Sequence, residues 1–193
     1  MFKRSKFFIV FMLMVFLGGQ VSGKKIDDSP EYTQYASEVT NAFVKEMYKK
    51  YGLECGACGG SMPWDVEKIS VSLHSDRSAT IEQARELEVR ATERFVQIIN
   101  AHEKIRPFLR EYPFPPGRAR VMIAFYPKKR FFSPAIKSDV ELVSHVKNKI
   151  FYEVKTVEHP HLFKEIMKEP YEEALKIVQN KIAQDAVKKP KDH

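Results

Sequence analysis

In residues 69–73 the apolar side chains of Ile69, Val71 and Leu73 alternate with Ser70 and Ser72. In residues 120–125, Val121, Ile123 and Phe125 alternate with Arg120, Met122 and Ala124. Period two turns successive side chains to opposite faces, so each stretch predicts a strand buried on one side. Two more strands are predicted at Val140–Val146 and Ile150–Val157, joined by a tight turn at Lys147-Asn148, with Asn148 as the residue suited to positive φ. Strands of this kind must be covered on their apolar face, which restricts the fold to a sheet with a second layer.

Helical stripes supply that layer. Tyr35, Val39, Phe43 and Met47 recur every four residues, and Gly52 is a natural stop for the helix they define. A second helix starts near Thr80, with Ile81, Ala84, Leu87, Ala91, Phe95 and Ile98 at helical spacing. It is read as continuing towards Leu109 past a bend at Pro107. Glu82, Glu86, Glu88 and Glu93 lie among Arg85, Arg90 and Arg94 and read as its solvated face. After a short turn or helix following His161, a last helix runs from Tyr171 to about Val187, with Tyr171, Ala174, Leu175, Val178, Ile182 and Ala186 as its stripe. The order α-β-α-β-β-β-α predicts a single two-layer α+β domain. Its sheet is expected to be mostly antiparallel, with about four strands and the helices largely on one face.

The N-terminus speaks to location. Lys3, Arg4 and Lys6 precede an unbroken apolar run, Phe7–Leu17, and Val21-Ser22-Gly23 offers small residues for cleavage. This is the layout of a secretory signal, residues 1–23, with an uncleaved membrane anchor as the alternative. Residues 24–30 read as a flexible leader, 31–188 as the domain and 189–193 as a charged tail. Without the signal, 29 Lys and Arg stand against 25 Asp and Glu, an excess too small to favour nucleic acid. An exported, soluble domain is expected, periplasmic or secreted.

The only two cysteines, Cys55 and Cys58, sit in LECGACGGSMPWD, which reads as a glycine-rich loop. A redox pair lowers the pKa of its first thiol with a helix N-terminus behind a strand. Here a helix precedes the pair and Gly59-Gly60-Ser61 follows it, so a structural clasp is the favoured reading and redox catalysis the alternative. Closing so small a ring contributes about 2 kcal/mol at most. Gly59, Gly60 and Ser61 also form a candidate anion-binding nest, against the plainer reading of a tight turn. Zinc would need two further ligands, and His159 and His161, one residue apart beside Pro160, read as turn histidines.

A second candidate surface is Lys128-Lys129-Arg130-Phe131-Phe132, where three cations meet two aromatic rings. It suits a partner or, less favoured, a membrane surface, against the plainer and preferred reading of rings folded under the loop onto the sheet with the charges solvated. Phe108, Tyr112 and Phe114 read as a seal on the core rather than a ligand groove. Ser61, His74 and Asp76 are the one combination with nucleophile chemistry, though no hydrolase, Walker or dinucleotide motif accompanies them. No cofactor or metal is expected. The functional reading is a non-enzymatic binding or interaction module of the envelope or secreted space, its partner a protein or envelope component. The alternative is an exported thiol–disulfide oxidoreductase using Cys55 and Cys58.

Overall fold

The computed structural model describes residues 29–126, 140–156, 158 and 161–188. These form one α+β domain with three helices and a six-stranded mixed sheet, wider than the four strands expected and not wholly antiparallel. The signal at 1–23, the loop 128–132 and the tail 189–193 lie outside the described residues.

Helix α1 (Glu31–Tyr51) buries Tyr35, Val39, Phe43 and Met47, the stripe expected for it. Gly52 ends it at φ 70°, the left-handed region open to a residue without Cβ, and its N–H bonds back to Met47 and Tyr48. Lys49 and Lys50 in the last turn face the negative end of the helix dipole.

The chain then forms β1 (Glu54–Ser61), where a loop was expected. Its glycines give no apolar alternation, and it holds by backbone pairing with β2 (Lys68–Ser75), from Glu54↔His74 to Ser61↔Lys68. It is an edge strand, so nothing requires its side chains to be apolar. At Gly60 an added Cβ would stand 2.3 Å from the backbone oxygen of Lys68, whereas at Gly59 it would meet open space. Gly60→Ala is therefore expected to lose about 1–3 kcal/mol in urea unfolding and Gly59→Ala far less. Equal losses would refute the strand register.

Helix α2 (Ile81–Ala101) opens with a reciprocal capping box between Thr80 and Gln83. It returns the chain to the end of the sheet where β2 began, so β3 (Ala119–Phe125) lies parallel to β2, Ile69↔Ala119 through Ser75↔Phe125. That crossover makes the sheet mixed. α2 stops at Ala101, and Pro107 lies in a separate 3-10 turn, Arg106–Phe108, because proline cannot carry the helix onward. The connector is pinned by Asn100, which donates to the Phe114 carbonyl and accepts from its N–H. Phe114 is buried and Tyr112, whose bond to Pro113 is cis, is exposed.

Strands β4 (Leu142–Val146) and β5 (Lys149–Lys155) form the expected hairpin, but the positive-φ residue is Lys147, at 56°, not Asn148. The segment after His161 is a strand, β6 (Phe163–Pro170), not a turn or helix. Its charged sequence hides it, and Lys164, Glu165, Lys168 and Pro170 are what an exposed sheet edge carries to discourage further pairing. The sheet order is β1-β2-β3-β4-β5-β6.

Helix α3 (Tyr171–Lys188) buries Tyr171, Ala174 and Val178, while Ile182 and Ala186 are exposed because the helix runs on past the sheet. The three helices cover one face, with α2 against both α1 and α3. Phe43 of α1 stacks on Phe95 of α2 at 4.4 Å between ring centres. The inward face of α2 also carries Glu88 and Thr92, both fully buried. The expectation that Glu88 belongs to a solvated face is therefore corrected: α2 is flanked by a helix on each side, so its buried arc is wider than its apolar stripe.

Candidate functional site

Strands β2 and β3 run parallel, so both release the chain at the same end of the sheet, where α2 begins and α1 finishes. Crevices at the carboxyl ends of parallel strands are the usual ligand seats of sheets with crossovers. Here, among the described residues, a cleft of about 1250 Å³ opens there, larger than the roughly 300–1000 Å³ typical of a small-molecule pocket. Tyr48, Tyr51, His74, Arg77 and Tyr126 are among its walls, and Phe125 and Ala79 lie deeper.

Local structure explains each position. The C-terminal turn of α1, held by the Gly52 cap, presents Tyr48, Lys49 and Lys50. His74 ends β2, with its ring edge-on to Tyr126 at 5.8 Å and close against Gly56 of β1. Tyr126 is placed by its N–H bond to the Ser75 carbonyl, and the Lys155 ammonium lies 5.3 Å from its ring centre. Tyr48 and Tyr126 are 62% and 45% exposed, so rings are turned outward at a site that also holds cations. Glu86 is committed elsewhere: Lys181 and then Arg90 hold its carboxyl below the usual range. The α2 N-terminus is satisfied by its own capping box, and the Glu82 carboxyl, bonded to its own backbone N–H and to Thr80, is lowered too. The cleft therefore presents side chains rather than a free helix end.

The dithiol lies on β1. In a regular strand residues three apart face opposite ways, but an irregularity between Cys55 and Ala57 inserts one residue. Cys55 consequently pairs with Leu73 and Cys58 with Val71, two residues of one sheet face, and the sulfurs stand 3.1 Å apart. Both cysteines are free and exposed. Loss of water around its sulfur, then the Cys55 thiol beside it, raises the Cys58 pKa to about 11. The pair sits within a strand and not at a helix N-terminus, so the dipole that would stabilise a thiolate is not aimed at it.

No family model, curated protein or solved structure matches this chain. Its function must be argued from its own residues.

The other candidates separate in space. Gly59, Gly60 and Ser61 pair in extended conformation with Ser70, Ile69 and Lys68, without the alternating left-handed backbone of a nest. Ser61 donates to Glu67 at 3.0 Å. His74 is paired with Glu54 at the far end of the same hairpin, so strand length alone places Ser61 on the order of 20 Å away, and the Ser61–His74–Asp76 combination is not assembled. His159 lies outside the described residues and His161 is exposed. Among the described residues no group of three or more His, Cys, Asp and Glu side chains is arranged to hold a metal ion, and no helix is long and apolar enough to cross a membrane. Phe108 is half-buried against Tyr32 and Tyr35, at ring distances of 5.8 and 6.1 Å.

Sequence reasoning missed the cleft because its walls come from four stretches of the chain, each ordinary alone. The signal that was legible is the end of a strand with exposed His74 and Asp76, followed by a capped helix.

Proposed function

We propose that the protein is an exported, non-enzymatic binding domain that holds an extended segment of a partner protein in the cleft at the carboxyl ends of β2 and β3. The observation that carries this reading is the cleft itself. It is larger than a typical small-molecule pocket, and it is edged by exposed tyrosines with Lys49, Lys50 and Arg77 on one side of the charge balance and Glu54 and Asp76 on the other. Tyrosine and arginine dominate the energetics of protein contacts because they add large, stiff contact area with a polar end. Residues 128–132 belong to the segment between Tyr126, on the cleft wall, and Val140, whose backbone bonds to Ala79 of the same cleft. The sequence expectation that their cations and rings meet a partner is carried into the same proposal, their placement lying outside the described residues.

The test is site-specific photo-crosslinking in the native compartment with a photoreactive residue at Tyr126. One discrete adduct is expected, lost when Arg77→Glu or Lys128→Glu with Arg130→Glu is added. An adduct of unchanged yield in both variants, or the same pattern from a probe at Ile177 on α3, would remove the cleft from the account.

A second reading, thiol–disulfide exchange by Cys55 and Cys58, rests on the 3.1 Å approach of the two exposed sulfurs. Against it stands the strand setting, which aims no helix N-terminus at Cys55, the thiol that would attack, while the raised thiol is that of Cys58, which would resolve. Cys58 is expected to be alkylated by iodoacetamide at pH 7 on the order of a hundredfold more slowly than a free cysteine, since only the thiolate reacts. Mass spectrometry of a time course measures this. Alkylation of Cys55, followed in the same time course, at a rate above that of a free cysteine would favour the oxidoreductase, and slow alkylation of both sulfurs would count against it.

A further inference from the structure

Trp64 is the only tryptophan in the chain, and it is 89% exposed. It stands at the tip of the β1–β2 hairpin, between Pro63 and Asp65. Nothing about that tip is loose. Val66 beside it is fully buried, and its N–H and C=O bond to the Phe108 carbonyl and the Arg110 N–H. Asp65 takes two bonds from the Arg110 guanidinium, at 3.0 and 3.1 Å, and Glu67 is paired with the same arginine. The indole is thus held out from a fixed turn, and the two acids nearest it in sequence are both engaged by the Arg110 guanidinium.

The same end of the molecule carries other outward features. Tyr112 is 54% exposed, with the Arg106 guanidinium 5.5 Å from its ring centre. The first turn of α1 also lies here: the Tyr32 hydroxyl bonds to the Met62 carbonyl, and its ring packs on Phe108. The chain therefore enters the domain at this end. Upstream of it, residues 18–30 separate α1 from the apolar run Phe7–Leu17, a span that reaches at most about 45 Å even when fully extended. The cleft opens at the other end of α1, roughly 30 Å away by helix rise.

We propose that the Trp64 tip, with Tyr112 and Arg106 at the same end, is a membrane-contact surface that seats the domain on a phospholipid bilayer. Indole and phenol rings favour the interface between headgroups and acyl chains, where the apolar ring is buried and the polar end stays wet. The Arg106 guanidinium beside the Tyr112 ring meets lipid phosphates, while Arg110 stays with Asp65 and Glu67. In this orientation the cleft faces away from the lipid, accessible to whatever it binds. The inference does not depend on the identity of the cleft's occupant.

The lone tryptophan is its own reporter. Protein recovered from its native compartment is added to unilamellar vesicles of phosphatidylcholine with phosphatidylglycerol, and indole emission is followed. A blue shift is expected, together with quenching by lipids brominated on the acyl chain. Trp64→Phe with Tyr126→Trp moves the only indole to the cleft, where emission is expected to stay unquenched; Trp64→Glu is expected to reduce vesicle partitioning at least fivefold. Emission unchanged by vesicles overturns the proposal, and so does equal quenching of the cleft probe, which would mean adsorption without orientation. A shift produced by envelope proteins in detergent but by no vesicle also overturns it, placing the tip against a protein.

Discussion

Glu88→Met is expected to raise the free energy of unfolding by about 1–3 kcal/mol at pH 5, the cost of a buried polar group left without partners. Both Glu88 oxygens are buried and neither makes a hydrogen bond, and the side chain has no exposed surface. Burial drives its pKa well above the carboxylate range; the nearby His145 amide and Thr92 hydroxyl, neither in good hydrogen-bond geometry with it, pull the other way without prevailing. The native state therefore keeps a proton that the unfolded chain releases above about pH 4.3. The unfolded state binds fewer protons there, so native stability falls as pH rises, by about 1.4 kcal/mol per unit until Glu88 itself ionises. The advantage of the methionine variant should widen with pH at that slope.

His145 has the opposite sign. It is 1% exposed and stacked on Tyr171 at 4.3 Å, with both ring nitrogens unpartnered, and burial lowers its pKa to about 4. Between about 4 and 6.5 the unfolded chain holds the extra proton, so this group adds stability as pH rises and loses it on acidification. The two slopes offset each other from about pH 4.3 to 6.5, and only that of Glu88 remains above. Urea titrations of parent and variant at pH 5, 6.5 and 8 measure the difference directly. A gap that stays constant across the three would mean that Glu88 is not protonated in the fold.

The second large effect belongs to the pair that closes the sheet against α2. Arg85 of α2 bonds Glu169 of β6 at 2.7 Å, with side chains 12% and 8% exposed, and the Tyr152 hydroxyl donates to the same carboxylate oxygen. Burial works against the Arg85 charge, but Glu169 and Tyr152 more than offset it and raise its pKa. Burial first, and then this hydrogen bond, also raise the Tyr152 phenol. Arg85→Met is expected to lose about 3–5 kcal/mol, because Glu169 is left charged in a site with little water. The double variant Arg85→Met with Glu169→Gln keeps an acceptor for Tyr152 without the stranded charge and should recover at least half of that loss. Additive single losses in the cycle would show that the pair is not coupled.

These two predictions concern residues that sequence reading had placed on a solvated surface, and the reason is instructive. Helix periodicity identifies an apolar face, but the width of the buried arc depends on how many neighbours the helix has. α1 covers one side of the layer, and its four-residue stripe matched what is buried. α2 lies between two helices, so Arg85 and Glu88, beside the stripe, were drawn inward. At α3 the converse holds: Ile182 and Ala186 continue the apolar period past the edge of the sheet and remain exposed.

Local chemistry was enough for the inner strands, the three helices and the Gly52 stop. Each is dictated by side chains adjacent in sequence, through period two, period four or a backbone conformation that only glycine adopts cheaply. The edge strands β1 and β6 left no such mark, since a strand held by backbone bonds on one side needs no apolar alternation. Whether β2 and β3 run parallel was settled by the path of α2 across the sheet. From that followed the shared end of the two strands and the cleft they open. The approach of Cys55 to Cys58 likewise needed the extra residue near Gly56, a feature of strand pairing and not of spacing. What the order of residues decided was which segments become helix or strand and which glycine stops α1; what waited for the assembled fold was every relation between segments distant in the chain, because burial, pairing and charge are shared only once those segments touch.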